Sequence, residues 1–272
     1  MRRWIKVALV AAAIYALLCL GLFGAMSRPP STFGAVMSRL PVPVVMMAFP
    51  VSSLWTLARA GPLQPGDPAP DFDLPSLDGG SRVRLSDFRG VKPVVLVFGS
   101  YTCPPFRHQV PQINGIYHKY KDRAAFYIVY IQEAHPSDRW QLTANVEADI
   151  VFSSPGNIGE RSNVANACVR TLGIEFPALL DDLQDSTEAA YTAWPDRLFL
   201  IDTDGIVTYK SSPGPWGFQP EELQNELSKL LSPSCRVAPR EPSHERARPR
   251  RSRGHSAAVA AAVMPDAIPR GD

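Results

Sequence analysis

Cys103, in "FGSYTCPPF" (Phe98–Phe106), is the residue best placed to do chemistry. It follows "VVLVF" (Val94–Phe98), a short apolar run of β-branched type that fits a buried strand. It precedes Pro104 and Pro105, which suit a first helical turn because the missing N–H groups cost nothing there. A thiol at that junction feels the positive end of the helix dipole, which favours the thiolate, the nucleophilic form. The competing reading is a buried structural cysteine. Only one cysteine stands where a redox Cys-x-x-Cys pair would place two, so the motif predicts a one-thiol nucleophile whose second thiol comes from elsewhere.

A second polar group lies in "YIQEAHPSDRW" (Tyr130–Trp140), after the apolar run "FYIVYI" (Phe126–Ile131). His135 could move a proton near neutral pH, and Glu133 shares its side if the segment stays extended. A surface histidine in a loop is the equal alternative.

The elements that must position these residues follow a β-α-β…ββ-α order. Phe106, Val110, Ile113, Tyr117 and Tyr120 recur at helical spacing, with Pro111 as a kink. "FPALLDD" (Phe176–Asp182) predicts a short third strand. "RLFLIDTDGIVTYK" (Arg197–Lys210) predicts a hairpin turning at Thr203-Asp204-Gly205. Leu223, Leu227, Leu230 and Leu231 close the domain with an amphipathic helix. The fold class is α/β, thioredoxin-like, and in that topology Pro195 is the candidate cis-proline facing the thiol.

At 272 residues the chain has room for one sizeable domain plus extensions, and its 27 prolines crowd toward the ends. Residues 1–26 place Arg2, Arg3 and Lys6 before about twenty uncharged residues, long enough for a transmembrane anchor; a cleaved signal would want a shorter apolar region and a better cleavage site. Residues 27–60 carry a second uncharged run, Leu40–Ala58, interrupted by Pro41, Pro43 and Pro50. It reads equally as a second span or as a membrane-hugging segment, and the choice decides which side the domain occupies. The domain covers 61–231, beginning with a linker, "GPLQPGDPAP". Residues 232–272 read as a disordered basic tail, with seven arginines against two glutamates between Arg236 and Arg253. A solvated tail beside a membrane fits it better than nucleic acid. The chain has no Gly-x-Gly-x-x-Gly and no phosphate loop. His108, His118 and His135 form no ligand set, so no metal is implied.

Taken together, "LVFGSYTCPPF", "VYIQEAHPSDRW" and "YTAWPDRLFLIDTDGIVTYKSSPGPWGFQPEEL" resemble the iodothyronine deiodinases, membrane-anchored selenoenzymes of thioredoxin fold. The family's selenocysteine falls at Cys103, its "IEEAH" at "IQEAH", and its Leu-Pro-Glu-Arg-Leu at Trp194–Leu198. The resemblance implies that Cys103 attacks a halogen on an aromatic ring, that His135 and Arg197 clamp the substrate, and that Tyr130, Glu133 and Thr102 surround the proton path. It implies no bound cofactor. Its partners would be a small halogenated aromatic, a thiol reductant such as thioredoxin or glutathione, and the membrane, with a homodimer left open. Two family cysteines are replaced here, by Tyr101 and Phe176, which leaves Cys168 as the candidate resolving thiol.

Three functions are therefore weighed. The first is a thiol-dependent reductive dehalogenase. The second is a peroxiredoxin- or thioredoxin-like oxidoreductase, to which "PGDPAPDFDLPSLDG" also points. The third is a non-catalytic membrane adaptor on the same fold.

Overall fold

The computed structural model describes residues 2–232. The basic tail expected from residue 232 onward falls, beyond Ser232, outside the described residues. A small antiparallel pair, β1 (Asp73–Pro75) and β2 (Arg82–Arg84), precedes the main sheet. That sheet has the order β5-β4-β3-β6-β7, built from β3 (Val94–Gly99), β4 (Ala125–Tyr130), β5 (Ala178–Leu180), β6 (Arg197–Ile201) and β7 (Val207–Lys210). β3, β4 and β5 run parallel, whereas β6 and β7 are antiparallel to their neighbours.

Parallel neighbours need long crossovers. α5 (Pro104–Tyr120) links β3 to β4, and α6 (Thr143–Glu147) with α7 (Ile158–Leu172) links β4 to β5. α8 (Ser186–Tyr191) precedes β6 and α9 (Pro220–Leu230) follows β7. Every residue of β3 is buried, as a strand covered on both faces must be. Pro111 lies inside α5, which continues through it as one helix. At the β6–β7 turn Asp202 Oδ1 accepts the N–H groups of Asp204 and Ile206, and Gly205 takes a positive φ of 81°. The expected linker at 61–70 is partly a sheet edge. Gly66 N donates to Val207 O, Val207 N to Asp67 O, and Ala69 N to Gly205 O, so the chain binds along β7 instead of swinging free.

Four helices precede the domain: α1 (Arg2–Met26), α2 (Pro30–Met37), α3 (Val42–Ala48) and α4 (Val51–Ala58). α1 is the membrane anchor, long and apolar enough to cross, with Leu9, Leu17 and Leu20 on its exposed surface. The run 40–58 does not form a second straight span. α3 starts after Pro41 and stops before Pro50, and its 7 residues and the 8 of α4 are too short to cross. α2 and α3 are bent by 99° to each other. Phe33, Met37 and Trp55 are buried against the domain, so these helices roof it.

One close approach in this frame is testable. A Cβ on Gly99 would lie 2.3 Å from Cδ2 of the buried Phe106 ring. Gly99→Ala is expected to cost roughly 1–3 kcal/mol, read as a lower denaturation midpoint.

Candidate active site

Cys103 is the N-cap residue of α5, after a short turn that follows the central strand, and only 1% of it is exposed. Its Sγ–H donates to Oδ2 of Asp196 at 3.4 Å. Asp196 lies between the cis Trp194–Pro195 bond and the start of β6. Pro195 is thus cis and lines the same cavity as Cys103. The carboxylate also requires a glycine at its back, since a Cβ on Gly214 would sit 1.4 Å from Asp196 Oδ1.

The readily formed thiolate expected at this junction is not the favoured form. Burial, and next the charge of Asp196, push the Cys103 thiol well above its usual range. The backbone N–H of Phe106 and the charge of Arg107 pull the other way and lose. The helix terminus acts as expected, but its effect is smaller than the cost of a second anion in a dry site. Burial also pushes Asp196 up to about 7, against the lowering effects of the Cys103 hydrogen bond and the Arg197 charge. Its Oδ1 is buried without a hydrogen-bond partner.

A network fixes the Cys103 loop from behind. Glu133 Oε2 accepts from Thr102 N at 2.9 Å and Thr102 Oγ1 at 2.6 Å, and Glu133 Oε1 accepts from the Tyr130 hydroxyl. The Tyr130 oxygen in turn accepts from Tyr101 N at 3.1 Å. Thr102 Oγ1 accepts from His135 N, so one hydroxyl ties the two site loops together. Burial raises Glu133 although three hydrogen bonds oppose it. Asn145, wholly buried, donates to Thr102 O at 2.8 Å and accepts from Arg107 at 2.9 Å. Sequence reasoning missed both Asn145 and Asp196. No spacing marks Asn145, whereas Asp196 stood in view beside the proline.

His135 and Cys103 line one cavity of about 110 Å³, with Trp140, Trp194, Trp55 and Phe33. Burial pulls His135 down to about 4, so the ring is neutral at physiological pH. Its Nδ1 lies 3.2 Å from Trp140 O and donates to it, which leaves Nε2 as an acceptor. Glu133 does not share the side of His135; it points into the network.

Arg197 stands apart from this cavity. Its guanidinium donates to Thr192 O and Arg59 O, both at 2.8 Å, and burial lowers it to about 10. Cys168 is a buried free thiol on α7 that does not line the cavity either, and burial raises it. A larger cleft, about 610 Å³, lies on the other side of Glu133 among Arg59, Arg161, Asp185 and Glu188; Cys103 does not reach it. Cys103 and His135 thus share the smaller, apolar cavity.

A single buried thiol at the β3–α5 junction, facing a cis-proline across an α/β sheet, defines a thioredoxin-like oxidoreductase site. The iodothyronine deiodinase family profile matches residues 41–231, and the chain belongs to that family. It is 35% identical to thyroxine 5-deiodinase of Gallus gallus over 63% of this chain and 67% of that one. It is 36% identical to thyroxine 5-deiodinase of Ovis aries over 60% of this chain and 55% of that one. The match thus spans between about half and two thirds of those relatives' length. A crystal structure described as a thiol:disulfide interchange protein of Chlorobium tepidum superposes with a TM-score of 0.46 at 25% identity, covering 63% of this chain and 100% of that one.

The buried carboxyl generates a prediction about stability. Asp196 loses its proton near 3.8 when unfolded and near about 7 when folded, so the folded state holds the extra proton between those values. Stability is then fully retained at low pH and falls as pH rises from about 4 to 7. Asp196→Asn removes this dependence. The variant is expected to match the wild type near pH 4 and to exceed it by a few kcal/mol above pH 7, measured by denaturant unfolding in mild detergent.

Proposed function

We propose that this protein is a membrane-anchored, thiol-dependent reductive deiodinase. Its substrate is an iodinated aromatic of the iodothyronine class, thyroxine being the compound for which the relatives are named. The observation that carries the reading is that Cys103 lines an aromatic-walled cavity together with His135 while its thiol donates to the buried Asp196. A dry, apolar slot of about 110 Å³ takes roughly one aromatic ring, since a cavity of about 150 Å³ holds benzene. His135 Nε2, kept neutral, accepts a hydrogen bond from a phenolic hydroxyl. The family resemblance pairs Arg197 with His135 as a clamp; the place of Arg197 outside the cavity supports His135 alone at the ring.

Cys103 sulfur attacks the iodine. The carbon–iodine electron pair goes to the ring carbon, which takes a proton, and the iodine leaves on sulfur as a sulfenyl iodide. Asp196 accepts the thiol proton, which balances the proton the ring carbon takes, so the first half reaction needs no net outside proton. An external thiol then attacks the sulfur, releasing iodide and forming a mixed disulfide. A second thiol frees Cys103 as the external disulfide forms. Thioredoxin or glutathione supplies both thiols, and Cys168, outside the cavity, is not needed. Thr102, Glu133 and Tyr130 are positioning residues that hold the Cys103 and His135 loops in register.

The test is iodide release from thyroxine by the full chain in detergent with excess dithiol. Cys103→Ser is expected to abolish release, and Asp196→Asn to lower it by about 10²–10⁴-fold. Wild-type release should rise with pH through about 7, where Asp196 becomes an acceptor, and the Asn variant should lack that rise. Peroxide consumption without iodide release would instead make this a peroxidase.

A further inference from the structure

The uncharged stretch of α1, Val7–Met26, is about 30 Å long at the helical rise, the thickness of a bilayer's hydrocarbon core. Tyr15 sits near its middle. There the Tyr15 hydroxyl donates to Ala48 O at 3.0 Å, and its ring stacks on Phe49 with centroids 5.6 Å apart and planes 1° from parallel. Ala48 ends α3, so its carbonyl is one of the acceptors a helix leaves open at its last turn. In water such a group needs no protein partner; in hydrocarbon it does, and α1 supplies one.

The connection between α3 and α4 is therefore held at the depth of the anchor's midpoint. Leu40–Ala58 contains no charged residue and is bracketed by Arg39 and Arg59. Its outer face exposes Val44, Leu57 and Met47, the last of them 82% exposed. Its inner face, Val45, Val51 and Trp55, lines the Cys103 cavity together with Met26 at the end of α1. Neither short helix can cross, yet each is long enough to run partway into one leaflet.

We propose that Leu40–Ala58 is a re-entrant hairpin seated in the leaflet that holds the C-terminal half of α1, and that apolar ligands reach Cys103 from the hydrocarbon past α3 and α4. The occupant of the exposed face is lipid, because that face continues the surface of the anchor. Lateral access also suits the cavity's size: it takes about one ring, so a larger substrate must displace part of the roof, and the roof is the hairpin. The nature of the substrate rests on the deiodinase reading; insertion of the hairpin does not.

The test uses the full chain in phosphatidylcholine vesicles and requires no turnover. A fluorophore is attached at Met47→Cys in a Cys19→Ser, Cys235→Ser background, and its quenching by lipids with a shallow or a deep nitroxide is compared. Stronger quenching by the deep nitroxide supports insertion. Quenching by an aqueous quencher, or protection from both accompanied by cross-linking between copies, overturns it. Access is read separately by alkylation of Cys103 with an iodoacetamide tethered to a lipid acyl chain, in which sulfur displaces iodide to form a thioether. An adduct that is absent in Cys103→Ser supports the lipid route, and labelling by water-soluble iodoacetamide alone overturns it. Insertion confirmed without iodide release would keep the hairpin and discard the deiodinase reading.

Discussion

A thiol and a carboxyl buried 3.4 Å apart cannot both be ionised in a dry site, and this constraint organises the protein. Desolvation opposes each charge, and each charge opposes the other. The pair thus retains a proton near neutrality, between a sulfur that is nucleophilic without it and a carboxyl that can carry it. Most of the fold around the pair makes that arrangement dry and rigid. The turn between β3 and α5 delivers Cys103, and Asp196 immediately precedes β6. Gly214 gives the carboxylate room where any side chain would collide with it.

Beneath the pair, polar groups do a different job. Thr102, Glu133, Tyr130 and Asn145 satisfy one another and the loop backbone, so the loops carrying Cys103 and His135 are joined through one hydroxyl. A buried network of this kind rigidifies when every member is satisfied. It also lies between a charged cleft and an aromatic-walled cavity, within a few residues of each.

The N-terminal helices complete the dry side. Trp55 donates to Gly214 O at 2.6 Å, and Arg59 lies over both Trp55 and Trp194. The roof is thus fastened to the same loop that accommodates Asp196. Membrane attachment and active-site closure use one continuous segment of chain, so the anchor is a structural part of the catalytic domain and not merely a tether.

The strands, the anchor and the nucleophile were legible because each depends on local pattern: a buried run of β-branched residues, twenty uncharged residues after a basic start, a cysteine between a strand and two prolines. The family resemblance was legible for the same reason, its motifs being short and contiguous. α7 left signals that went unread. Asn157 accepts from Glu160 N at its start, and Gly173 turns left-handed at its end, but no strong apolar period marks the turns between. The sequence by itself determined the order of elements and the identity of the attacking atom. Only the tertiary structure decided the protonation of Cys103, the partnership with Asp196 93 residues away, the withdrawal of Arg197 into backbone contacts, and the folding of the proline-broken apolar run into a roof. The physical reason is common to all four. Charge and exposure are set by which distant groups share a desolvated volume, and the spacing of residues along the chain does not encode that volume.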